Sequence, residues 1–322
     1  MSDVIFCGEA LIDFVPVETD AGTALMPKAG GSPFNAAKAA AMAGGKSYFC
    51  GAVSHEFFGD HLVADLEQAG VRTDLVQRLD HLTTLAFVDF ASGGPRYAFH
   101  DEGTASRNFV PGFGGYTPAP RSILDFGSVS LIGNPAADAL ADFAVAQSER
   151  MLIAIDPNVR EGLIADADEW HTRLARMLGV ASILKLSDED LAFMAPGTSM
   201  EDYASAMLQH GLALVIITLG EGGAMAFTRD GRAKVPVRRI DMVDTVGAGD
   251  TLMGTALVWL TENELTSRAA LAGADDDKLA AMLTFSTTAA ALNCTRQGCQ
   301  PPSRQDLEHA LRTGARFFSL GD

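Results

Sequence analysis

An acid beside two glycines, where a buried helix is predicted to begin, is the pattern with the clearest chemical meaning in this chain. It lies within residues 244–251, DTVGAGDT, and apolar residues recur at helical spacing after it, from Leu252 to Leu260. At a helix start the first N–H groups lack intrahelical partners and the dipole is positive, so an anion binds without a lysine or arginine. The pattern favours a phosphoryl site with Asp250 accepting a proton from a substrate hydroxyl. A loop in which Asp250 merely caps the helix is the alternative.

A second glycine pair opens a predicted helix near the start of the chain, in residues 30–37, GGSPFNAA. Ser32 is a candidate N-cap and a proline follows it, so Asn35 is predicted to point from the first turn. An asparagine amide both donates and accepts, which suits adjacent hydroxyls of a polyol, and the glycines let another molecule approach the backbone. A plain helix start is the alternative.

Two further candidates lie at predicted strand ends. Asp13 is expected to end the first strand, where a carboxylate at the carboxyl edge of a parallel sheet can accept hydrogen bonds from two hydroxyls. The glycine-rich turn 218–223, TLGEGG, follows an apolar strand and is predicted to admit the phosphates or ribose of a nucleotide. A solvated acid and an ordinary tight turn are the respective alternatives.

Apolar runs rich in β-formers alternate with helical patterns, which predicts βαβ units around a mainly parallel sheet. The predicted strands are Val4–Leu11, Ser47–Val53, Ser128–Ile132, Leu152–Asp156, Ile183–Leu186 and Leu214–Leu219, and the predicted helices are Pro33–Ala43, Phe58–Ala69, Ala136–Arg150, Trp170–Gly179, Met200–His210 and Ala248–Thr261. Residues 14–28 and residues 83–100 instead read as short strands. The second range is predicted to form a hairpin around Ser92-Gly93-Gly94. Such strands predict a lid over the sheet, within a single domain of residues 1–322.

The composition bounds the function. The chain has 322 residues, of which 48% are hydrophobic, so it can bury a large core. Its formal charge of −17 argues against nucleic-acid or membrane partners. No run reaches the roughly 18 apolar residues of a membrane span, no signal sequence opens the chain, and the four cysteines form no C-x-x-C pair. We therefore expect a cytoplasmic protein with reduced cysteines.

With both glycine motifs in this order, the chain resembles, nearly end to end, the PfkB (ribokinase-like) family of sugar and nucleoside kinases. The resemblance implies a three-layer α/β fold, with a mainly parallel central sheet flanked by helices and a small β lid from residues 14–28 and 83–110, and often a homodimer through the lids. It implies ATP and Mg²⁺ as cofactors and Asp250 as the base for a primary sugar hydroxyl attacking the γ-phosphate. The N–H groups of Gly247, Ala248, Gly249 and Asp250 would form the anion hole.

Other roles follow from the same resemblance. The residues expected to hold the sugar are Asp13, Gly30, Gly31 and Asn35, and those expected to hold the nucleotide are Lys185, Ser187, Thr218, Gly220, Gly222 and Gly223. Ser187 and Asp190 stand where many members carry the Asn and Glu of a motif tied to Mg²⁺; Asp190 keeps the charge on a shorter arm and is expected to act through water. Some members bind K⁺ beside the position of Asp244, which makes K⁺ a further candidate.

Two segments bear on the substrate. Residues 97–107, YAFHDEGTASR, resemble the lid stretch of bacterial fructokinases and contribute Phe99 and Arg107, although His100 and Ser106 depart from it. Residues 156–160, DPNVR, are similar to a segment shared by fructokinases and 2-keto-3-deoxygluconate kinases. Here Arg160 approaches the sugar or phosphates, or is held by a neighbouring carboxylate.

The expected partners are a small sugar and ATP, and the expected reaction is conversion of fructose to fructose 6-phosphate. A 2-keto-3-deoxygluconate kinase, with Arg107 or Arg160 meeting the substrate carboxylate, or another PfkB sugar kinase, is the first alternative. A catalytically silent sugar-binding regulator on the same fold is the second. Retention of Asp250 speaks against a regulator, because a pure binder needs no base at an anion hole.

Overall fold

A large sheet with helices on both faces forms the centre of the structure, a computed structural model that describes residues 2–89, 96–238 and 240–313. The strands are β1 Val4–Cys7, β2 Leu11–Thr19, β3 Gly22–Gly30, β4 Ser47–Cys50, β5 Ala52–Ser54, β6 Gln77–Leu79, β7 Thr84–Asp89, β8 Arg96–His100, β9 Ile123–Gly127, β10 Leu152–Asp156, β11 Ile183–Ser187, β12 Leu214–Thr218, β13 Ala224–Phe227 and β14 Arg232–Val235. The helices are α1 Ser32–Met42, α2 Phe57–Gln68, α3 Ala136–Gln147, α4 Ala167–Leu178, α5 Asp188–Met194, α6 Met200–Gln209, α7 Ala248–Glu262, α8 Arg268–Ala272, α9 Asp276–Cys294 and α10 Arg304–Thr313.

The central sheet has the strand order β14-β13-β12-β11-β10-β9-β1-β4. Its strands from β4 to β12 run parallel, and β13 and β14 add an antiparallel edge. The carboxyl ends of the parallel strands therefore share one edge, where ligands bind in open α/β sheets. The predicted α/β class with a mainly parallel sheet is confirmed.

Alternate residues of the parallel strands feed two separate cores. Phe6, Ala154 and Ile216 lie on the face covered by α1, α7 and α9, while Ile5 and Val215 lie on the face covered by α3, α4 and α6. Both faces of a parallel sheet must be covered in this way because its strands are apolar on both sides. The three-layer prediction is confirmed.

A second sheet, called here the lid sheet, has the order β3-β2-β7-β8. One face packs against α2, where the ring of Phe14 stacks on Phe87 at 5.0 Å and meets Phe58 edge-on at 5.9 Å. Asp13, one residue before Phe14, is in register with Ala86, which is in register with Phe99, so these three residues share the opposite face. The predicted turn at Ser92-Gly93-Gly94 lies outside the described residues.

Two predictions about strands were wrong. Asp13 does not end the first strand: β1 stops at Cys7, and Asp13 is the third residue of β2 in the lid sheet. Ser128–Ile132 is not a strand either, because the chain leaves the sheet at Gly127 and Ser128, with φ of 63°, begins a 3₁₀ turn. The strand is Ile123–Gly127, whose buried Asp125 interrupts the apolar pattern that prediction relies on.

The acidic stretch before Leu279 forms the start of a helix. Asp275 is the N-cap of α9 and accepts a hydrogen bond from the Lys278 N–H, so the helix begins at Asp276. Within the parts of the chain that the structure describes, no helix is both long and apolar enough to cross a membrane.

Candidate active site

The start of α7 presents free backbone donors to the sheet edge. Gly247 is the N-cap, with φ of 73°, and a Cβ at this position would overlap the sulfur of Cys299, so only glycine fits. Ala248 N–H donates to Thr245 O at 3.2 Å and Thr251 N–H to Gly247 O at 2.8 Å. The described backbone hydrogen bonds leave the N–H groups of Gly247, Gly249 and Asp250 without an acceptor. These three groups could receive an anion.

The carboxylate of Asp250 joins this helix start to the start of α1. The residue is buried, and its Oδ1 accepts a hydrogen bond from Ser32 Oγ at 2.6 Å while its Oδ2 accepts one from Asn35 Nδ2 at 2.9 Å. The Oδ1 of Asn35 is buried and has no partner. The two glycine motifs, more than 200 positions apart in the chain, thus meet at one acid that has a free amide acceptor beside it.

Glu9 fixes the backbone ahead of α1. It is fully buried, and its carboxylate accepts the N–H of Ser32 at 3.0 Å and the N–H of Ser130 at 3.2 Å. Burial raises the pKa of Glu9 to about 7, although these hydrogen bonds oppose the shift. Gly31, with φ of 112°, is the N-cap in place of the predicted Ser32, and a Cβ on it would lie 2.6 Å from Glu9 O.

The lid sheet brings Asp13 to the same place. A Cβ on Gly30 would overlap Asp13 Oδ2, so the glycine makes room for the acid. Burial raises the pKa of Asp13 to about 6; the charge of Arg160 opposes this shift and that of Asp250 adds to it. Arg160 itself donates to Asn158 Oδ1 at 2.7 Å and Val159 O at 3.0 Å rather than to a carboxylate.

A buried ion pair lies under the helix start. Lys185 Nζ and Asp156 Oδ2 are 2.7 Å apart, both side chains are 4% exposed, and the ammonium lies 3.0 Å from where a Cβ on Gly249 would be. Burial alone would lower the pKa of Lys185, but Asp156 outweighs it and the pKa is raised, so the lysine is a cation. Burial raises the pKa of Asp156 to about 6 despite the lysine.

Asp125 extends this polar interior. It is completely enclosed, its Oδ1 has no partner, and burial, reinforced by Asp156, raises its pKa well above the ordinary value. Asp156 Oδ1 is also unpartnered. Two buried acids, Asp125 and Asp156, therefore lie near the single cation Lys185, which is paired with Asp156.

Asp190 is engaged by the backbone. Its Oδ2 accepts the N–H of Ser187 and its Oδ1 accepts the N–H of Val159, each at 2.8 Å, while Ser187 Oγ accepts the Asp190 N–H at 2.9 Å. The first and last of these bonds form a capping box at the start of α5. The replaced Asn and Glu positions thus have a structural role, and the predicted contact of Asp190 with Mg²⁺ through water stays a prediction.

The glycine-rich turn follows the adjacent strand. Thr218 is in register with Ser187, so both lie at the carboxyl edge of the sheet. Gly220 has φ of 51° and begins the 3₁₀ turn that includes Gly222. Gly223 has φ of 93°, and a Cβ on it would overlap Val235 O. The turn is therefore open on its outer side and tightly packed against β14 on its inner side.

Comparison with known proteins identifies the chemistry that this geometry allows. The family model described as "pfkB family carbohydrate kinase" matches residues 1–306. The chain belongs to this family. The kinase is 34% identical over 281 residues to a fructokinase of Rhizobium leguminosarum bv. trifolii, covering 86% of this chain and 85% of the relative.

Solved structures agree with this assignment. A fructokinase from Xylella fastidiosa with bound ATP is 27% identical and superposes with a TM-score of 0.87, covering 97% of this kinase and 98% of that chain. A Vibrio cholerae O395 fructokinase in a fructose-, ADP- and calcium-bound form is 25% identical with a TM-score of 0.82, covering 96% and 98%. The kinase thus has the ribokinase-like fold, and it is a carbohydrate kinase.

Two predicted ligand residues of the kinase have other partners. Asp244 accepts the N–H groups of Val246 at 3.0 Å and Gly298 at 2.8 Å, which ties the loop before α7 to the loop after α9. Arg107 pairs with Asp101 and donates to Asn134 O at 3.0 Å. No described hydrogen bond or ion pair joins Arg107 to Asp13, Asn35 or Asp250.

Sequence reasoning did not predict the roles that four residues have at this site of the kinase: Ser32 as a donor to Asp250, Glu9 as the acceptor that fixes the start of α1, and Asp125 and Asp156 as buried acids near Lys185. An acid inside a central strand, as at Asp125, is a usable signal because an unpaired buried carboxylate is costly. Likewise Asp156 ends its strand at the ligand-binding edge. The bond between Ser32 and Asp250 has no local signal, because it depends on the packing of α1 against α7.

Proposed function

We propose that this kinase transfers the γ-phosphate of ATP to a primary hydroxyl of fructose, which gives fructose 6-phosphate. The observation that carries the proposal is the carboxylate of Asp250, which is held by Ser32 and Asn35 beside free N–H groups at the start of α7. Fructose is favoured because the relatives reported above are fructokinases and the Vibrio cholerae structure contains fructose and ADP.

Asp250 acts as the base in this proposal. It accepts the proton of the attacking hydroxyl, the bond between that oxygen and the γ-phosphorus forms, and the bond from phosphorus to the ADP oxygen breaks. The N–H groups of Gly247, Gly249 and Asp250 stabilise the charge on the transferred group, whereas Ala248 contributes position because its N–H is engaged by Thr245. Lys185 adds a cation beneath the same turn.

The sugar lies between the lid sheet and α1. Asn35 Oδ1 accepts one hydroxyl, since it is buried and unpartnered, and Asp13 accepts others. Gly30 and Gly31 allow the sugar to approach the backbone, and Phe99 covers it from the same face of the lid sheet as Asp13. Burial raises the pKa of Asp13 to about 6 although the charge of Arg160 opposes the shift, so the carboxylate is largely ionised at neutral pH.

The nucleotide lies along the carboxyl edge beyond Ser187 and Thr218, with its phosphates or ribose over Gly220, Gly222 and Gly223. The described residues contain no group of three His, Cys, Asp or Glu that could hold a metal ion. This fits Mg²⁺, which is commonly bound by substrate phosphates, water and one or two carboxylates. Asp190 is the carboxylate we assign to it, through water, and when bound the ion neutralises phosphate charge. We assign K⁺ to the loop beside Asp244.

The exposed edge of the lid sheet suits a homodimer. Leu25 and Met26 on the edge strand β3 are 48% and 45% exposed, and an edge strand can pair with another chain. We assign the dimer contact to this edge. Light scattering on Leu25→Lys should show a monomer where the unmodified kinase is a dimer; a monomeric unmodified kinase would overturn this part.

A substrate panel tests the proposed function. ADP release should be measured with fructose, 2-keto-3-deoxygluconate, ribose, tagatose and adenosine, and fructose should give the highest kcat/KM. Higher kcat/KM with 2-keto-3-deoxygluconate would replace fructose as the substrate. Sugar binding without ADP release for any of the five would favour the silent regulator.

A further inference from the structure

The hydroxyl of Ser32 donates a hydrogen bond to the carboxylate of Asp250, which we assign as the base. The O–O distance of 2.6 Å to Asp250 Oδ1 is in the range of charge-assisted hydrogen bonds, which are roughly twice as strong as neutral ones. An ionised carboxylate can only accept, so Ser32 is the donor. Any other hydroxyl that gives its proton to Oδ1 must displace Ser32 or share this oxygen with it.

Ser32 is held firmly in this position. Its N–H donates to Glu9 Oε1 at 3.0 Å, and it is the first residue of α1, directly after the constrained Gly31. Only χ1 and the rotation of the hydroxyl then remain to be ordered, so the bond to Asp250 costs little entropy. A free water molecule that competes for Oδ1 must lose far more freedom.

A sugar differs from water in having other contacts. The buried, unpartnered Asn35 Oδ1 and the carboxylate of Asp13 can accept hydrogen bonds from sugar hydroxyls other than the one that reacts. Binding energy from such remote groups can offset the loss of the Ser32 bond. A water molecule has no such remote groups, so no other contact offsets the cost of displacing the Ser32 hydroxyl from Asp250.

We propose that Ser32 is a specificity-determining residue that discriminates between sugar and water as the phosphoryl acceptor, by holding Asp250 Oδ1 against water. The proposal rests on Asp250 being the base. The reaction it suppresses is hydrolysis of ATP: water attacks the γ-phosphorus, its proton passes to Asp250, and ADP leaves with the electrons of the broken P–O bond.

The test compares hydrolysis with sugar phosphorylation in the full chain. ADP release from Mg²⁺-ATP is measured without sugar and then with fructose, for the unmodified kinase, Ser32→Ala and Ser32→Cys. We expect both variants to hydrolyse ATP without sugar about tenfold faster, because neither alanine nor a weakly donating thiol replaces the charge-assisted bond. Ser32→Thr, which retains a hydroxyl, should stay near the unmodified rate.

A matched control is Ser47→Ala. Ser47 lies in β4, and its buried Oγ donates at 2.8 Å to Ala37 O of α1, the helix that begins at Ser32. No described bond joins Ser47 to Asp250. This variant should lower thermal stability and leave the sugar-free rate of ADP release unchanged.

Three outcomes would overturn the proposal. If the sugar-free rate falls together with fructose turnover in Ser32→Ala, the serine only positions the base. If the rate is unchanged, Ser32 does not exclude water. If the unmodified kinase with ATP alone gains the mass of one phosphate, and Ser32→Ala does not, the serine is itself an acceptor. Absence of fructose phosphorylation in the unmodified kinase, by contrast, would count against the proposed function.

Discussion

Replacing Lys185 with methionine should separate its effect on stability from its effect on catalysis. The substitution removes the cation paired with Asp156 at 2.7 Å and leaves a carboxylate that is 4% exposed without its partner. Breaking a buried pair from one side typically costs about 3–5 kcal/mol of unfolding free energy. We expect a loss of this size at pH 8, together with a fall in kcat of roughly 10²-fold, the usual effect of losing one donor at a developing anion.

The stability loss should shrink as the pH falls. The pKa of Asp156 is raised in the folded state from 3.8 to about 6 even beside the lysine, so the folded chain binds more protons than the unfolded chain between these values. Stability contributed by such a group falls as the pH rises through that window. At pH 5.5 Asp156 is largely protonated and needs no cation, so the penalty of Lys185→Met should be smaller than at pH 8.

The double variant Lys185→Met/Asp156→Asn is decisive. It removes both charges, so denaturant unfolding at pH 8 should show most of the stability restored, whereas kcat with fructose should stay low. Arg173→Met is the control, because Arg173 is a buried cation paired with Asp138 and Glu169 away from the site, and it should affect stability alone. Recovery of kcat in the double variant would refute the reasoning, since the lysine would then serve only the fold.

Three further predictions concern the sugar and nucleotide sides. Gly30→Ala should raise the KM for fructose about tenfold or more and the KM for ATP much less, because the new Cβ displaces Asp13, and equal effects in steady-state kinetics would contradict this. The KM for fructose should rise as the pH falls through about 6, since a protonated Asp13 accepts hydroxyls poorly, and Asp13→Asn should abolish this pH dependence. Gly223→Ala should cost at least about 2 kcal/mol in chemical unfolding because of its positive φ and its contact with Val235 O, whereas the control Gly222→Ala should cost much less.

Local pattern was sufficient for most of the fold. The helix beginning at Ala248, the helix after the first glycine pair and all parallel strands of the central sheet except β9 follow from apolar periodicity and from where glycine and proline stand. The strand Ile123–Gly127 was missed because its acid looks like a surface residue until the neighbouring Asp156 and Lys185 are in place. The buried acid at Asp125 is accommodated by residues from distant segments of the chain, which local propensity cannot indicate.

The candidate site was predictable as two motifs but not as one arrangement. Nothing near Ser32 indicates that its hydroxyl meets Asp250. Strands of a lid were predicted from residue 14 onwards, but the pattern does not show that Asp13 belongs to them and not to the first strand. The resemblance to the family indicated that the two motifs serve one site. The distances that join Ser32 and Asn35 to Asp250 are known only from the folded structure.

The most direct test of the account is single-turnover phosphorylation of fructose by Asp250→Asn, with fructose binding measured by calorimetry on the same sample. An asparagine fits this position, since its oxygen can still accept from Ser32 and its amide can donate to Oδ1 of a reoriented Asn35. The Nδ2 of the reoriented Asn35 then faces the sugar, where it can donate to the hydroxyl that Oδ1 otherwise accepts. We expect turnover to fall by roughly 10²-fold or more while fructose binding survives. Turnover within a few-fold of the unmodified kinase would show that Asp250 is not the base.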